Sequence, residues 1–333
     1  MPSQQLKSLG KRPVSDPDGA VFAEKLLGWY DRNRRDLPWR ENRDPYRVWL
    51  SEIMLQQTRV AAVLEHYRKF LKKFPNVKKL AAARESSVLA AWSGLGYYRR
   101  ARMLHAAAKQ VAGKLGGEFP ATSRQLRDLP GIGRYTAAAI ASIAFGEPAA
   151  VVDGNVERVV SRVTGKRLAG EAAWQEAERR LSRQRPGDFN QAMMELGATV
   201  CVPGAPRCLF CPVQDLCATR GELAQERPGT KQQKRKIHYA LGRQGEAVFL
   251  VQRANDVSLM PGMWELPELT NGHRSKRPLL QLKHSITVTD YDVRVVECLP
   301  AVGAAGKWIP QPRLDSMALT GLTRKILRRV GVI

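Results

Sequence analysis

The chain has 333 residues, with 54 lysine and arginine side chains against 31 aspartates and glutamates, so its formal net charge is +23. Hydrophobic residues make up 44% and charged residues 26%, which is ordinary globular composition and excludes a collagen-like or wholly disordered chain. A chain of this length buries roughly 75% of its unfolded surface without disulfides, and its charge favours nucleic acid as a partner over an anionic membrane.

The start of the chain, residues 1–20, lacks the apolar core of a signal peptide, and we expect it to form a disordered leader. The longest apolar candidate for a membrane span, 137–152, is interrupted by Gly146, Glu147 and Pro148. We therefore expect a protein that stays in the reducing cytoplasm, associated with the nucleoid, and does not enter a membrane. We also expect it to be monomeric.

Apolar residues recur at helical spacing from Val21 to Arg183, and glycine and proline mark the turns between them. This pattern predicts an all-α domain over 21–217. The predicted helices cover 21–34, 46–57, 60–73, 99–112, 123–128, 136–145, 155–164, 172–183 and 188–197.

Two carboxylates stand out in this half. The run WLSEIMLQQT at 49–58 places Glu52 among apolar neighbours near a predicted helix end. Burial would raise the pKa of this carboxyl group, which suits a proton donor near neutral pH. Asp153 lies at a predicted helix start, where an N-cap is the simpler interpretation. No spacing rule connects the two residues.

The segment LPGIGRYTA at 129–137 sets Gly131 and Gly133 in a Gly-x-Gly turn between two helical stretches. Glycine permits backbone conformations that other residues avoid and leaves the amide groups bare. Amides at the start of the next helix, expected near Thr136, would bind a phosphate regardless of base sequence. A plain turn between helices is the alternative.

Four of the five cysteines are spaced C-x6-C-x2-C-x5-C, whereas Cys298 stands alone in a predicted strand. In a reducing compartment, such a set indicates a metal site rather than disulfides. Either one [4Fe-4S] cluster or one zinc ion would suit four thiolates, and the single C-x2-C pair favours the cluster. The four residues are Cys201, Cys208, Cys211 and Cys217.

Beyond Cys217 the pattern changes. Residues 218–236 are polar and basic and are predicted to form a linker. Alternating stretches then predict strands at 237–242, 246–252 and 292–299, and helical spacing returns at 317–330. We predict a smaller α/β domain over 237–333.

Seven motifs together closely resemble the adenine-specific mismatch DNA glycosylases (MutY), within the helix-hairpin-helix superfamily that includes endonuclease III. The motifs are LPWR at 37–40, SEIMLQQT at 51–58, GLGYY at 94–98, LPGIGRYTA at 129–137, VDGNVERV at 152–159, FNQAMMELG at 189–197 and the cysteine loop. The resemblance covers about 20–220. It implies a [4Fe-4S] cluster and a partner of double-stranded DNA with A:8-oxoguanine or A:G mispairs.

The resemblance also implies residue roles. Glu52 would protonate a flipped adenine so that the base can leave, Asp153 would stabilise the cationic sugar, and Asn155 would position water or the sugar. Tyr135 stands where bifunctional members carry a lysine nucleophile, which implies a monofunctional glycosylase with little lyase activity.

Further positions would contact the DNA. Gln57 and Tyr97 resemble residues that wedge in beside the opposite base. The resemblance also implies a pocket for the extruded adenine, and core packing is the alternative role for its apolar members. The residues assigned to this pocket are Arg35, Leu37, Trp39, Leu55 and Gln191.

In the C-terminal half the resemblance is looser. The family carries there a Nudix-like module that recognises 8-oxoguanine. The family's Phe-Ser-His loop aligns with 286–288, where Thr287 keeps the hydroxyl and Val288 cannot replace an imidazole. We therefore expect weaker discrimination of the oxidised base. The stretch GMWELP at 262–267 resembles a Nudix-fold strand, but no glutamate-rich helix follows it, so nucleotide pyrophosphatase activity is not expected.

Two other interpretations stay open on sequence. One is a thymine-mismatch glycosylase or an endonuclease III-like lyase, and the other is a noncatalytic iron-sulfur DNA-binding protein. The leading interpretation requires Glu52 and Asp153 to face one cavity that holds an extruded purine.

Overall fold

A computed structural model describes residues 17–223, 233–254, 256–257, 259–269, 277–286, 289–300 and 304–333. The backbone forms two compact units, each assembled from separate stretches of chain. Unit one comprises Met1–Val48, Pro120–Arg127 and Ile132–Gln225, and unit two comprises Trp49–Phe119, Asp128–Gly131 and Glu226–Ile333. The predicted domain boundaries at 217 and 237 lie near the point where helices give way to strands along the chain. As boundaries between domains they stay a prediction.

The described α-helices confirm the helical pattern of the first 200 residues. They are Pro17–Asn33 (α1), Pro45–Leu55 (α2), Val60–Lys73 (α3), Val77–Ala81 (α4), Glu85–Trp92 (α5), Tyr98–Lys114 (α6), Ser123–Leu126 (α7), Arg134–Phe145 (α8), Gly154–Thr164 (α9), Glu171–Arg180 (α10), Pro186–Thr199 (α11), Gln311–Leu314 (α12) and Gly321–Arg329 (α13). None of these helices is long and apolar enough to cross a bilayer.

Each helix that the periodicity predicts overlaps an observed helix, but some boundaries differ. α1 begins at Pro17, so the last four residues of the predicted leader are helical, and its first 16 residues lie outside the described part of the chain. The pattern missed α4 and α5. α4 has only five residues and starts at Asn76, whose side chain accepts a hydrogen bond from the Lys79 amide, so its signal is a cap rather than a period.

The core of unit one is built around α8, whose residues from Thr136 to Ile143 are all buried. α11 packs against both α8 and α9, and α1 packs against α11. A helix buried on all sides needs apolar or small side chains all round, and five alanines in α8 meet this need. The helices that carry the candidate residues of unit one are therefore fixed to one buried element.

The helical part of unit two packs around α6 and α5. α4 and α5 contact α6, and α3 contacts α5. The ring of Phe70 lies edge-on to that of Trp92, with 6.0 Å between centroids. Both side chains are fully buried, so this pair anchors α3 on α5.

The strands lie in unit two and form two sheets. They are Gln233–Leu241 (β1), Arg243–Gln244 (β2), Ala247–Gln252 (β3), Trp264–Glu265 (β4), Leu280–Ile286 (β5), Thr289–Glu297 (β6) and Lys307–Pro310 (β7). In the first sheet, β6 lies between a parallel β1 and an antiparallel β5; in the second, β3 pairs antiparallel with β2, β4 and β7.

This region confirms the predicted C-terminal segment of strands followed by a helix. The core of the region joins Val293 and Val295 of β6 to Leu322 and Ile326 of α13. β1 begins at Gln233 because that stretch pairs with β6, so the last four residues of the predicted linker belong to a strand.

Buried polar groups attach α13 to the segment between α5 and α6 within unit two. The Tyr98 hydroxyl donates to the Leu319 carbonyl at 2.9 Å, and the Ser93 hydroxyl donates to the same oxygen at 3.1 Å. Arg324 Nε donates to Ser93 Oγ at 2.8 Å. Because all three side chains are buried, these bonds are shielded from water and fix the segment that leads into α6.

Replacing Tyr98 by phenylalanine tests this attachment. The change removes a buried donor to Leu319, and we expect it to lower the free energy of unfolding by about 1 kcal/mol. The measurement is the urea midpoint of unfolding. Tyr97→Phe is the matched control, because the neighbouring side chain is 44% exposed and its hydroxyl is not part of the attachment. Equal midpoints for Tyr98→Phe and the parent chain would contradict the assignment.

Candidate active site

Glu52 lies in α2 and belongs to unit two. Its side chain is buried, with 6% exposed, and Trp49, Ile53 and Met54 of the same helix are buried as well. α2 ends at Leu55 rather than at the predicted residue 57. The apolar pattern of the SEIMLQQT motif therefore places a carboxyl group away from bulk water, as predicted.

Asp153 is the N-cap of α9 in unit one. Its Oδ1 atom accepts the amides of Asn155 and Val156 at 2.9 and 2.8 Å, and its Oδ2 atom accepts Asn155 Nδ2 at 3.0 Å. The N-cap interpretation is thus confirmed. It does not compete with a catalytic role, because three donors also hold the half-buried carboxylate in one orientation.

Asn155 is itself held by Arg158 of the next turn of α9. Arg158 Nη2 donates to Asn155 Oδ1 at 2.9 Å and to the Gly197 carbonyl at 2.7 Å, and Arg158 Nε donates to the Cys201 carbonyl at 2.8 Å. A side chain at residue 197 would place its Cβ 2.7 Å from the Asn155 Cβ. Glycine at this position therefore lets α11 approach the head of α9.

The chain leading to Asp153 is fixed by Asn190 of α11. This buried side chain accepts the Val151 amide at 3.2 Å and donates to the Ala149 carbonyl and to Ser142 Oγ, each at 2.8 Å. A buried amide that makes three hydrogen bonds is well satisfied and restricts the segment it contacts. Asn190 thus positions the residues immediately before Asp153.

Arg35, assigned by resemblance to the adenine pocket, binds Glu195 of α11. Its Nε and Nη2 atoms donate to the two carboxylate oxygens at 2.7 and 2.8 Å, and Arg40 Nη2 adds a bond of 2.8 Å. Glu195 is only 1% exposed. Burial alone would raise the pKa of Glu195, but the hydrogen bonds from Arg35 and Arg40 outweigh it and hold that pKa below its usual value.

The other predicted pocket residues differ in how far they are buried. Leu37 and Trp39 are buried in unit one, as core packing requires, and Gln191 is half-buried there. Leu55, the last residue of α2, is half-buried in unit two. Their assignment to an adenine pocket stays a prediction.

The hairpin is present at the predicted place. Gly131 adopts a φ of 76°, and a Cβ there would lie 2.6 Å from the Met103 Cβ, so both conformation and space require glycine. Gly133 is the N-cap of α8, which begins at Arg134 rather than near Thr136. The Tyr135 hydroxyl lies 3.0 Å from the sulfur of Met194.

The two predicted wedge residues, Gln57 and Tyr97, are both exposed residues of unit two. Each has a left-handed backbone, with φ of 54° and 47°. This conformation is uncommon for residues other than glycine and marks a constrained segment. Thr287, the remaining predicted DNA contact, lies outside the described residues, as does Val288.

The four cysteines of the loop after α11 line one cavity in unit one, together with Arg162 and Arg220. Arg162 Nη1 donates to Cys201 Sγ at 3.2 Å, and the Arg220 amide donates to Cys217 Sγ at 3.4 Å. In the described part of the chain, no three His, Cys, Asp or Glu side chains converge as they would around a single metal ion. The four cysteines thus share one cavity, and the choice between a cluster and a zinc ion stays a prediction.

Comparison with known proteins decides the family. Residues 50–183 match the family described as HhH-GPD superfamily base excision DNA repair protein. The adenine DNA glycosylase of Rattus norvegicus is 38% identical over an alignment 355 residues long, which covers 84% of this chain and 69% of that protein. The chain belongs to the adenine DNA glycosylase family. The adenine DNA glycosylase of Homo sapiens is 48% identical over 221 residues, 62% of this chain and 40% of its own length.

Solved structures agree on the helical fold. A thermostable thymine-DNA glycosylase superposes with a TM-score of 0.58 at 33% identity, over 61% of this chain and 96% of that one. An endonuclease III in a non-covalent DNA complex superposes with a TM-score of 0.52 at 23% identity, over 60% of this chain and 93% of that one. The family confirms an enzyme of base excision repair that acts on N-glycosyl bonds, and the interpretation as a noncatalytic DNA-binding protein loses its support.

The predicted residues of this adenine DNA glycosylase family member divide between the units. Asp153 and Asn155 are brought into direct contact in unit one, and in unit two half-buried Arg100 binds the carbonyl of Gln56, next to Gln57, and lies over the ring of Tyr97. The cavity common to Glu52 and Asp153 stays a prediction. Residues that sequence reasoning missed are Arg100, Arg158, Asn190 and Glu195. Asn190 and Glu195 had a signal, as polar residues in the largely apolar run FNQAMMELG.

Glu195→Gln tests the buried carboxylate. The folded pKa is depressed, so the carboxylate stabilises the fold above the unfolded pKa of about 4.3, and this contribution is lost as the pH falls from that value through the depressed folded pKa. At neutral pH the variant keeps one acceptor oxygen but leaves two arginines without a charged partner, and it should lose about 3 kcal/mol. Thermal midpoints between pH 3 and pH 7 give both quantities.

Glu171→Gln is the matched control for that experiment, because Glu171 pairs with Arg134 at the surface and is 63% exposed. Its midpoints should follow those of the parent chain. If Glu195→Gln kept the parent's midpoint at neutral pH, the buried pair would not stabilise the fold.

Proposed function

We propose that this chain hydrolyses the N-glycosidic bond of adenine mispaired with 8-oxoguanine or guanine in double-stranded DNA and leaves the strand intact. One observation carries the proposal beyond the family. The carboxylate of Asp153 is held by three N–H donors at the head of α9, in the motif that the family uses for the reacting sugar. A carboxylate fixed before the reaction needs no reorganisation when charge develops.

Glu52 supplies the proton in this proposal. Adenine leaves poorly as an anion, so a nitrogen of its imidazole ring must be protonated while the glycosidic bond breaks. A carboxylic acid in position for this step contributes on the order of 10²–10⁴ in rate. The burial of Glu52 among the apolar residues of α2 keeps bulk water from competing for its proton.

Asp153 stabilises the cationic sugar that remains. Two of its donors belong to the backbone of α9 and one to Asn155, so the carboxylate and the amide move as one group. Arg158 orients that amide through Asn155 Oδ1. The two carboxylates thus have opposite tasks, proton donor and charge stabiliser, as in glycoside hydrolysis.

The absence of an amine at Tyr135 supports a monofunctional reaction. The phenol of Tyr135 cannot form a Schiff base with the abasic sugar, so this residue cannot start cleavage of the DNA strand. Nothing in the role of Tyr135 requires more than packing, and its hydroxyl lies against Met194.

The mispaired base would be recognised by a Nudix-like C-terminal region. The mixed sheet of β1, β6 and β5 with α13 packed on it supports this assignment. α13 carries no acidic residue, so this helix offers no carboxylates for the metal of a nucleotide pyrophosphatase. The region is therefore proposed as a binding module.

A [4Fe-4S] cluster held by Cys201, Cys208, Cys211 and Cys217 completes the proposal. The donor set fits, because the four thiols line one cavity and two of them receive N–H donors, as cluster sulfurs commonly do. Burial raises the pKa of the Cys211 thiol to about 11, so a nearby cation is needed to hold it as thiolate. The cluster would supply a fixed fold for the cysteine loop.

A duplex with one adenine opposite 8-oxoguanine tests the function. We expect cleavage of the adenine strand only after alkali treatment, with a slower reaction opposite guanine. Glu52→Gln should bind the duplex but lose at least about 10²-fold in single-turnover rate, because it cannot donate the proton. Glu41→Gln, at an exposed carboxylate of unit one, is the control. A preference for T:G, or cleavage without alkali, would overturn the assignment.

Cysteine variants test the cluster. Anaerobically purified protein should be yellow-brown and contain iron and sulfide, and Cys208→Ser should lose both. Cys298→Ser is the matched control, because Cys298 lies in unit two outside the loop, and it should keep the parent's colour and iron. A colourless parent that contains one zinc ion and is fully active would exclude the cluster as a requirement.

A further inference from the structure

Arg100 of α6 binds two separate loops of unit two at once. Its Nη1 atom donates to the carbonyls of Ile53 and Met54 at 2.8 and 3.0 Å and to that of Gln56. Ile53 and Met54 lie in the last turn of α2, and Gln56 directly follows the helix. Carbonyls at the C-terminal end of a helix have no hydrogen-bond partners within the helix. The first loop that Arg100 holds is therefore the exit from α2.

The second loop is the GLGYY segment before α6. Arg100 Nη2 donates to the Leu95 carbonyl at 3.1 Å and lies 3.4 Å from the Gly96 carbonyl, and it also donates to Thr58 Oγ1 at 3.1 Å. Only a planar guanidinium presents enough donors in a fork to satisfy acceptors on both loops. The two loops are joined by this one side chain.

Each loop carries one strained residue directly after an Arg100 acceptor. Gln57 follows Gln56, Tyr97 follows Gly96, and both have the left-handed backbone described above. Such a conformation costs on the order of 1–3 kcal/mol for a side chain other than glycine and persists only where its surroundings impose it. Two of the four described residues of this kind directly follow a residue whose carbonyl Arg100 binds.

The guanidinium also supports the ring of Tyr97. Its central carbon lies 5.3 Å from the centroid of that ring and 5.5 Å from the centroid of Trp92. On the other side, the Tyr98 hydroxyl attaches the segment to Leu319. Burial lowers the pKa of Arg100 to about 10, which still leaves it charged at neutral pH. Arg100 thus supports the ring of Tyr97 on the protein side, while the ring stays exposed to solvent.

We propose that Arg100 is a positioning residue that presents Gln57 and Tyr97 to DNA as one rigid wedge, so that extrusion of the target base depends on it. This inference rests on the proposed function and on the predicted role of Gln57 and Tyr97 as residues that wedge in beside the opposite base. Extrusion costs a few kcal/mol of stacking and pairing, and a wedge that must first be ordered adds to that cost. Arg100 removes the added cost before DNA arrives.

Arg100→Lys is the test, since lysine keeps the charge but has one donor centre in place of the fork. With a duplex containing A:8-oxoguanine, the variant should lose about tenfold or more in single-turnover excision rate, in line with the strain it no longer supports. The fluorescence rise of a 2-aminopurine beside the target adenine, which reports extrusion, should fall in parallel.

A second substrate separates positioning from chemistry. Arg100 also holds the end of α2 one residue beyond Glu52, so the same variants are assayed on an adenine in an unpaired bubble, which needs no extrusion. Arg100→Lys should then come within about twofold of the parent rate. A deficit that persists on the bubble would place the effect on Glu52 and overturn the inference.

Two further variants complete the design. Arg99→Lys is the matched control on the neighbouring exposed arginine and should match the parent on both substrates. Thr58→Val removes one acceptor of Arg100 without changing volume, and it should show a smaller loss on the duplex alone. This variant decides the outcome if Arg100→Lys fails to fold. No adenine release by the parent would refute the proposed function, whereas an active parent with equal Arg100→Lys and Arg99→Lys would refute only the wedge.

Discussion

Arginine side chains that bind backbone carbonyls hold the functional segments of this protein in place. A helix end leaves carbonyls without partners, and a guanidinium can satisfy several of them because its donors point in fixed directions. Arg100 does this at the end of α2 in unit two, and Arg158 and Arg162 do so at the Cys201 and Val202 carbonyls in unit one. Buried or half-buried arginines therefore help to close the loops that carry the candidate residues.

The same constraint explains why α9, α11 and the cysteine loop form one assembly. Arg158 connects the amide of Asn155 with the Cys201 carbonyl, and the glycine at residue 197 lets the helices come close enough for that contact. Asn190 fixes the segment before Asp153 from the opposite direction. The orientation of one carboxylate thus depends on groups from three elements, which supports a reaction that needs a preorganised charge.

Much of the helical half could be predicted from sequence because its helices are long and strongly periodic. α4 escaped because five residues make little more than one turn, and the end of α2 was placed two residues late because Gln56 and Gln57 do not interrupt a helical pattern. Nothing local announces a left-handed backbone at Gln57 or Tyr97, since glycine is the usual signal and neither residue is glycine. Each residue follows a carbonyl that Arg100 binds, and Arg100 is separated in sequence from α2 and is one of two adjacent arginines.

The candidate site shows the same limit in its chemistry. Sequence alone offers two interpretations of Asp153, a helix cap and a catalytic group, and the structure makes the first true without excluding the second. The catalytic interpretation stays a proposal. Conversely, resemblance assigned Arg35 to the adenine pocket, yet its guanidinium lies in a bidentate pair with buried Glu195, a contact that no motif spacing announces.

The net charge of +23 has two uses that composition cannot separate. Arg35, Arg40, Arg100, Arg158, Arg162 and Arg324 are all engaged with internal carboxylates, carbonyls or a hydroxyl. A cation held by internal acceptors releases fewer counterions from a duplex than one that meets phosphate directly. Fewer arginines therefore meet phosphate directly than the formal excess suggests, and several of them hold the chain's own loops instead.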